Sequence, residues 1–305
     1  MSSSNASLHK AGLYFRGSDA ILAIILARTA INAKIGVPVF SCNTSIADRI
    51  RQHGRRVHWI DIADNTLKLD PEQLGFAVAA CEAIIVHSYW GQPIPELASI
   101  ETLVRDHGKV LIVDYAHRLV LDEALRNTST SVYFTFSFSK EVPFLLGGAC
   151  IPPVCQVPRS LSPLLAARAA MAAVSMSLAA RGGFMKRLID SVNSRRAANA
   201  SVSASPLPTG GAPRPMSVLQ YYLLGLLTMT QRRARDRRAR WAHAHDLPQA
   251  DAAQWGCLVT RADAQARGLR AHPMWPDCQT YDGIQRTPRL LEMMNQNVLC
   301  IYERT

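Results

Sequence analysis

The chain has 305 residues, 48% hydrophobic and 19% charged, a balance that can bury a sizeable core and excludes wholesale disorder. Thirty-four Lys and Arg against 23 Asp and Glu leave a formal charge of +11, a field that favours anionic partners, phosphorylated small molecules as well as nucleic acid, and is silent about fold. Seven cysteines, an odd number without a C-x-x-C pair, do not form a disulfide framework and read as the reduced thiols of a cytoplasmic protein.

Residues 1–12 are small and polar without periodicity, and are expected to be a flexible terminus. From there to Ile151, short apolar runs alternate with amphipathic ones, the βαβ rhythm of an α/β fold whose mostly parallel sheet carries helices on both faces. Strands are predicted at 37–41, 57–62, 83–87, 110–114, 132–137 and 148–151, and helices at 19–32, 44–53, 71–80 and 96–107. Asp70 before Pro71, with Gln73 behind, reads as a helix start, and His107-Gly108 as a helix stop. The apolar run from Ala20 to Ala27 falls far short of the ~20 residues that span a bilayer. No small-residue cleavage site follows it, so a buried helix is expected rather than a signal peptide or a membrane anchor.

Beyond Ile151 the rhythm breaks. Pro152, Pro153, Pro158 and Pro163 lead into an Ala-rich helical stretch at about 163–199, then a loop at 201–215 rich in Ser, Pro and Gly. A long helix follows, apolar at 218–229 and then basic through Arg232, Arg233, Arg235, Arg237, Arg238 and Arg240. Without interleaved aromatics this run reads as a solvated helix face and not as a nucleic-acid surface. The tail holds a strand at 255–260, a helix at 262–267 and a final helix and strand within 288–302. Residues 13–245 are expected to form a large domain and 246–305 a small one.

Five segments carry polar chemistry, mostly where an open α/β sheet places its ligands. Arg16-Gly17-Ser18-Asp19-Ala20 is a small-residue turn entering a helix, fit either to hold a phosphate on free amides or simply to cap the helix. Asp114 ends an apolar strand, where a carboxylate needs a cationic or hydrogen-bonding partner unless it caps the strand exit. The strand from Tyr133 runs through Thr135, Ser137 and Ser139 to Lys140, an amine among phenylalanines, suited to Schiff-base chemistry or to snorkelling. Gly147-Gly148 implies a close backbone approach or a positive φ, and His87-Ser88-Tyr89-Trp90-Gly91-Gln92-Pro93 is a polar and aromatic strand exit.

Read in order, these segments resemble the DegT/DnrJ/EryC1/StrS aminotransferases, pyridoxal-phosphate enzymes of fold type I. Gly17-Ser18-Asp19-Ala20-Ile21 is similar to the family's phosphate-binding G-T-x-A-L, and Asp114-Tyr115-Ala116-His117 to the D-x-A-H that serves the pyridinium nitrogen. Phe134-Thr135-Phe136-Ser137-Phe138-Ser139-Lys140 reproduces F-S-F-x-x-x-K, which implies a phosphate-binding hydroxyl on Thr135 and a Schiff base on Lys140. The family's H-x-Y-G-Q-P appears with one extra residue, with Tyr89 on the substrate side. The resemblance implies catalytic roles for Lys140, Asp114 and His117, and cofactor contacts by Gly17, Ser18, Asp19, Thr135 and those three. Where the family stacks an aromatic ring on the cofactor, counting back from Gly54 gives Asn43. The family's N-x-R-M-S appears as Pro213-Arg214-Pro215-Met216-Ser217, with Arg214 offered to a phosphate or an anionic substrate, and His272 and Trp275 fall where substrate-side residues are expected.

The expectation is a cytoplasmic, homodimeric, pyridoxal-phosphate-dependent aminotransferase with a reduced C-terminal α+β domain. It would act on an anionic carbonyl substrate such as a nucleotide-linked keto sugar, with glutamate as donor and no nucleic-acid or membrane partner. Elimination, replacement or cyclisation with the same cofactor is one alternative, and a degenerate, non-catalytic family member is another.

Overall fold

The computed structural model describes residues 10–41, 46–63, 67–94, 96–127, 129–141, 147–154, 211–247, 256–269 and 296–301, with single residues 167, 170 and 254. The expected helix at 163–199, the residues Asn43, His272 and Trp275, and the expected helix start near residue 288 lie outside these.

Seven strands make one sheet: β1 (Gly12–Tyr14), β2 (Lys34–Pro38), β3 (Arg56–Ile60), β4 (Ala83–His87), β5 (Val110–Tyr115), β6 (Val132–Ser137) and β7 (Gly148–Ile151). Their order is β1-β7-β6-β5-β4-β2-β3. Strands β3, β2, β4, β5 and β6 run parallel, β7 runs against them beside β6, and β1, antiparallel to β7, closes the edge. Strand β1 escapes pattern reading because three residues show no period. It exists through its partners, pairing Gly12–Tyr14 with Cys150–Gly148 on one side. On the other, Phe15 N–H donates to Arg214 O at 2.9 Å and Met216 N–H to Leu13 O at 3.3 Å.

Helix α1 (Gly17–Arg28) is apolar on every side and buried from Asp19 to Ile25, as a core helix must be. It covers one face of the sheet, packing with Ile85, Ile112, Tyr133 and Cys150. Helices α2 (Asp48–Gln52), α3 (Pro71–Ala80), α4 (Leu97–Asp106), α5 (Leu121–Arg126) and α6 (Phe138–Glu141) fill the crossovers. Leu74, Val78, Ile100 and Val104 of α3 and α4 pack on the opposite face with Ile84, Val113 and Phe136. Asp70 caps α3 as expected, its carboxylate accepting from Glu72 and Gln73 N–H at 3.0 and 3.1 Å, an arrangement worth about 1 kcal/mol. Gly108, at φ 64°, ends α4.

The long C-terminal helix divides into α7 (Val218–Leu223) and α8 (Gly225–Ala244). The solvated arginine face holds only in part. Arg237 and Arg240 are exposed, but Arg238 is fully buried and Arg235 donates to Leu119 O, so this turn of α8 lies against the loop before α5. Strands β8 (Gly256–Thr260) and β9 (Asn297–Ile301) form a separate antiparallel pair, with α9 (Arg261–Ala266) packed on it.

Candidate active site

Strand alternation puts the polar residues of β4, β5 and β6 on one face. Ile112 and Tyr133 pack under α1, so Asp114 and Thr135, two residues further on and in direct register, share that face at the carboxyl end of the sheet. His87 ends β4 opposite Asp114 on the same side. The crevice beyond parallel strand ends is where such sheets bind ligands.

Asp114 is 8% exposed and fully engaged. Its Oδ1 accepts from Ala116 N–H at 3.0 Å and from Thr135 Oγ1 at 3.3 Å, and its Oδ2 lies 2.9 Å from His87 Nδ1. His87 Nε2 is in turn 2.5 Å from Ser41 Oγ. Sequence reading missed both Ser41 and His87 as partners of the carboxylate. The signal was available for His87, a polar residue ending an apolar strand just as Asp114 does. Ser41 had none, since its position follows only from how the chain leaves β2.

At the start of α1 the Arg16–Gly17 backbone lies against β7: a Cβ on Gly148 would sit 2.3 Å from Gly17 N and 2.4 Å from Arg16 C. The close approach expected of Gly147-Gly148 is therefore real, and it seats the helix end on the sheet. A Cβ on Gly17 would touch Ser137 Cβ at 3.1 Å, so Ser137 borders this turn. Ser137 and Ser139 share a hydrogen bond of 3.3 Å, and both are partly exposed, as is Ser18. Amides of a helix's first turn lack intrahelical acceptors, so Gly17 and Ser18 present N–H groups beside these hydroxyls. Thr135 differs from expectation: it is fully buried and its hydroxyl is spent on Asp114, leaving Ser137 as the β6 hydroxyl beside the turn, with Ser139 of α6 bonded to it.

Asp19 is likewise turned inward. Its carboxylate, fully buried, meets Arg49 Nη2 at 2.7 Å and Arg214 Nη2 at 3.6 Å. Arg49 is 3% exposed and donates through Nη1 to Ser18 Oγ at 3.2 Å, so Asp19 reaches the turn through an arginine that sequence reading did not single out. Arg214 comes to the same place by a different route, carried by residues 214–216 zipped onto β1, with its guanidinium 4.9 Å from the Phe15 ring.

The strand exit after β4 shows how one extra residue is housed. Trp90 adopts φ 50°, ψ 26°, a left-handed conformation unfavourable for a bulky side chain, inside a 3-10 turn at Tyr89–Gly91. Three contacts hold it: Trp90 N–H donates to His117 Nδ1 at 3.2 Å, Arg118 Nη1 donates to Gly91 O at 3.2 Å, and the indole packs with Tyr89 and Phe40. His117 is thus 6% exposed and engaged with this turn through Nδ1. Tyr89 is 7% exposed, with its ring 5.6 Å from that of His87. Phe40 is fully buried in the same aromatic group. Tyr89 and His87 also line a cavity of about 230 Å³, with Leu69, Ile94 and Gln92 among its walls. Lys140 follows β6 in α6, five residues beyond the partner of Asp114.

Burial shifts three groups elsewhere in the molecule. It pushes the Cys81 thiol up to about 11, raises Glu101 against the hydrogen bond from Asn127, and lowers His58, to which the nearby Lys34 charge adds. None of the three belongs to the crevice.

The sequence profile of the DegT/DnrJ/EryC1/StrS aminotransferase family matches residues 16–150. Among solved structures, the chain is similar to a sugar aminotransferase from Streptococcus pneumoniae in its PLP form, at 12% identity over 98% of this chain and 85% of that one, with a TM-score of 0.64. It is also similar to the sugar aminotransferase CalS13 from Micromonospora echinospora (15%, 99% and 87%, TM-score 0.61). A third is PseC of Helicobacter pylori, an aminotransferase of pseudaminic acid biosynthesis (14%, 99% and 85%, TM-score 0.60). The shared architecture is the α/β fold with a mostly parallel sheet. No curated protein matches the chain in sequence.

Proposed function

We propose that the chain is a pyridoxal-phosphate-dependent aminotransferase of the DegT/DnrJ/EryC1/StrS family acting on a sugar-like carbonyl compound, a reading supported by the match of the family's profile to residues 16–150. The observation that carries this is a single sheet face with a carboxylate at one place and a phosphate-sized set of donors at another. Asp114 ends β5, and the Gly17 and Ser18 amides stand beside Ser137. The cradle fits the group physically: Gly148 has no side chain where one would push the turn away, and the partly exposed Ser18 and Ser137 border the turn.

When bound, pyridoxal phosphate supplies an electron sink and a carbonyl carbon on which an amino group can be exchanged. Asp114 would accept the N–H of its ring. The α1 amides with Ser18, Ser137 and Ser139 would hold its phosphate, and Arg49 and Arg214 add positive charge at that end. Lys140 would anchor it and move a proton as base and then acid. Tyr89, whose ring lies 5.6 Å from that of His87, would face the acceptor. Asn43, His272 and Trp275 keep their proposed contacts from the family resemblance alone.

Glutamate as donor, a nucleotide-linked keto sugar as acceptor, a homodimer, a cytoplasmic location and a small domain built on β8 and β9 complete the proposal. Four free, buried cysteines are consistent with a reducing compartment, and among the described residues no helix is long and apolar enough to cross a membrane.

The decisive test is a visible absorption spectrum of purified protein with pyridoxal phosphate, before and after borohydride, alongside Lys140→Ala. A reducible chromophore present in the wild type and lost in the variant is expected. An unchanged variant spectrum would move the anchor elsewhere, and no chromophore in the wild type would refute the proposal. Adding an amino donor should bleach the chromophore and leave it bleached, whereas a lyase would regenerate it.

A further inference from the structure

We propose that Ser41 and His87 are positioning residues that form an ordered hydrogen-bond row, Ser41 Oγ to His87 Nε2 to Asp114, crossing from the end of β2 over β4 to β5. It rests on Asp114 being the acceptor for the cofactor's ring nitrogen. Two donors fix Oδ1 of Asp114, the Ala116 amide and the Thr135 hydroxyl, while His87 Nδ1 addresses Oδ2 at 2.9 Å. All three side chains of the row are nearly out of solvent: Ser41 is 2% and Asp114 8% exposed, and the His87 side chain 8%.

The geometry fixes where the proton sits. A neutral imidazole carries one N–H, and with that proton on Nε2 the Nδ1 lone pair would face a carboxylate oxygen at 2.9 Å, two acceptors in contact. The proton therefore belongs on Nδ1, and Nε2 must accept, which the Ser41 hydroxyl satisfies at 2.5 Å. Should the ring become cationic, Ser41 accepts from Nε2–H instead, and the bond to Asp114 is unchanged. Serine is suited to this place because its hydroxyl can both donate and accept. Among the described residues, the charged and titratable neighbours of His87 include Asp114 on β5, the Tyr89 ring at 5.6 Å, and Lys68 and Glu96 among the walls of the adjoining cavity.

The same order of groups serves acyl transfer elsewhere, with serine as nucleophile. The burial of Ser41 speaks for the positioning role here. The carboxylate it serves is already held by two other donors, so the row's function is to aim Oδ2. A hydrogen bond to a charged group is worth roughly ten- to a hundredfold in an equilibrium constant.

Two measurements test this on the full-length protein. In the cofactor-free protein with 15N-labelled histidine, the His87 signals, assigned by loss in His87→Gln, should show the Nδ1–H form. Ser41→Ala should leave the proton on Nδ1 and shift only the Nε2 resonance, which loses its hydrogen bond, and Ser41→Thr should restore it. In the loaded protein, His87→Phe should weaken pyridoxal phosphate binding ten- to a hundredfold and move the pH midpoint of its visible absorption. Ser41→Ala should do the same to a smaller degree, and Ser41→Thr should match the wild type. An Nε2–H form in the wild type, or wild-type affinity and midpoint in both Ser41→Ala and His87→Phe, overturns the proposal. So does labelling of Ser41 by a fluorophosphonate, which would make it a nucleophile. If the wild type gains no reducible chromophore, the aminotransferase assignment falls, and the tautomer measurement still decides the row by itself.

Discussion

Gly148→Ala probes the seam on which the proposed phosphate cradle depends. The added methyl would lie 2.3, 2.4 and 2.5 Å from Gly17 N, Arg16 C and Gly17 Cα, where ordinary contact begins at 3.4 Å. All three are backbone atoms, so no rotamer change relieves the clash, and the start of α1 must retreat from β7 by about 1 Å. Overpacking of this kind costs about 1–3 kcal/mol, and the upper end applies here because a buried helix has to move. The retreat also carries the Gly17 and Ser18 amides away from Ser137, and a misplacement of that size costs roughly a hundredfold in a site that works by orientation. Urea denaturation reads the stability loss as a lower midpoint at unchanged slope, and titration with pyridoxal phosphate reads the displaced cradle. Gly75→Ala is the control, since nothing lies within 4 Å of its Cβ position in mid-α3. It should stabilise by about 0.5–1 kcal/mol. A Gly148→Ala protein with wild-type midpoint and wild-type cofactor affinity would refute the close approach of α1 and β7.

Arg49→Met leaves the Asp19 carboxylate buried with only Arg214 at 3.6 Å, and should cost about 3–5 kcal/mol in chemical denaturation; Asp19→Asn in the same chain should recover part of it. His58 has a folded pKa below its ordinary 6.5, so the unfolded chain takes up more protons as pH falls through and below that value. Its contribution is neutral at higher pH and destabilising below, and His58→Gln should flatten the loss of thermal stability between about pH 6.5 and 5. The Cys81 thiol, raised from 9.0 to about 11, carries about a hundredfold less thiolate at pH 8 than an ordinary one. It should resist iodoacetamide in the native protein and react on unfolding, as peptide mapping would show.

The parallel sheet was legible because its strands are apolar runs separated by capped helices, and the Asp70 cap and the Gly108 stop stand where the residue types require. The ends of elements were less so. The apolar run at Val37–Ser41 reads as strand, yet the ladder is spent by Pro38, and the chain turns away to bring Ser41 to His87. Strand β1 and the 214–216 segment support each other across 200 residues of sequence, and neither has a pattern of its own. In the candidate site, motif spacing singled out Asp114, Gly17 and Ser18, but spacing is blind to which hydroxyl faces where. Thr135 and Ser137 differ by two positions on one face, and only the approach of Gly17 to Ser137 separates the hydroxyl beside the Gly17 turn from the one beside the carboxylate.

Side-chain burial also changes what the net charge means. An excess of +11 suggests a basic exterior, and the six arginines of α8 look like its densest part. Yet Arg49 is spent on Asp19, Arg118 on Gly91 O and Arg235 on Leu119 O, while Arg238 is buried outright. Guanidinium groups suit this use because they stay charged and offer several donors to carbonyl oxygens that the irregular turns around Trp90 and Leu119 leave exposed. Part of the positive balance is therefore internal structure, which weakens the case for a basic surface recognising nucleic acid. Arg49 and Arg214 are different. They bring two positive charges against one carboxylate, at the end of a helix whose dipole has the same sign. That local surplus is charge that a phosphate could neutralise.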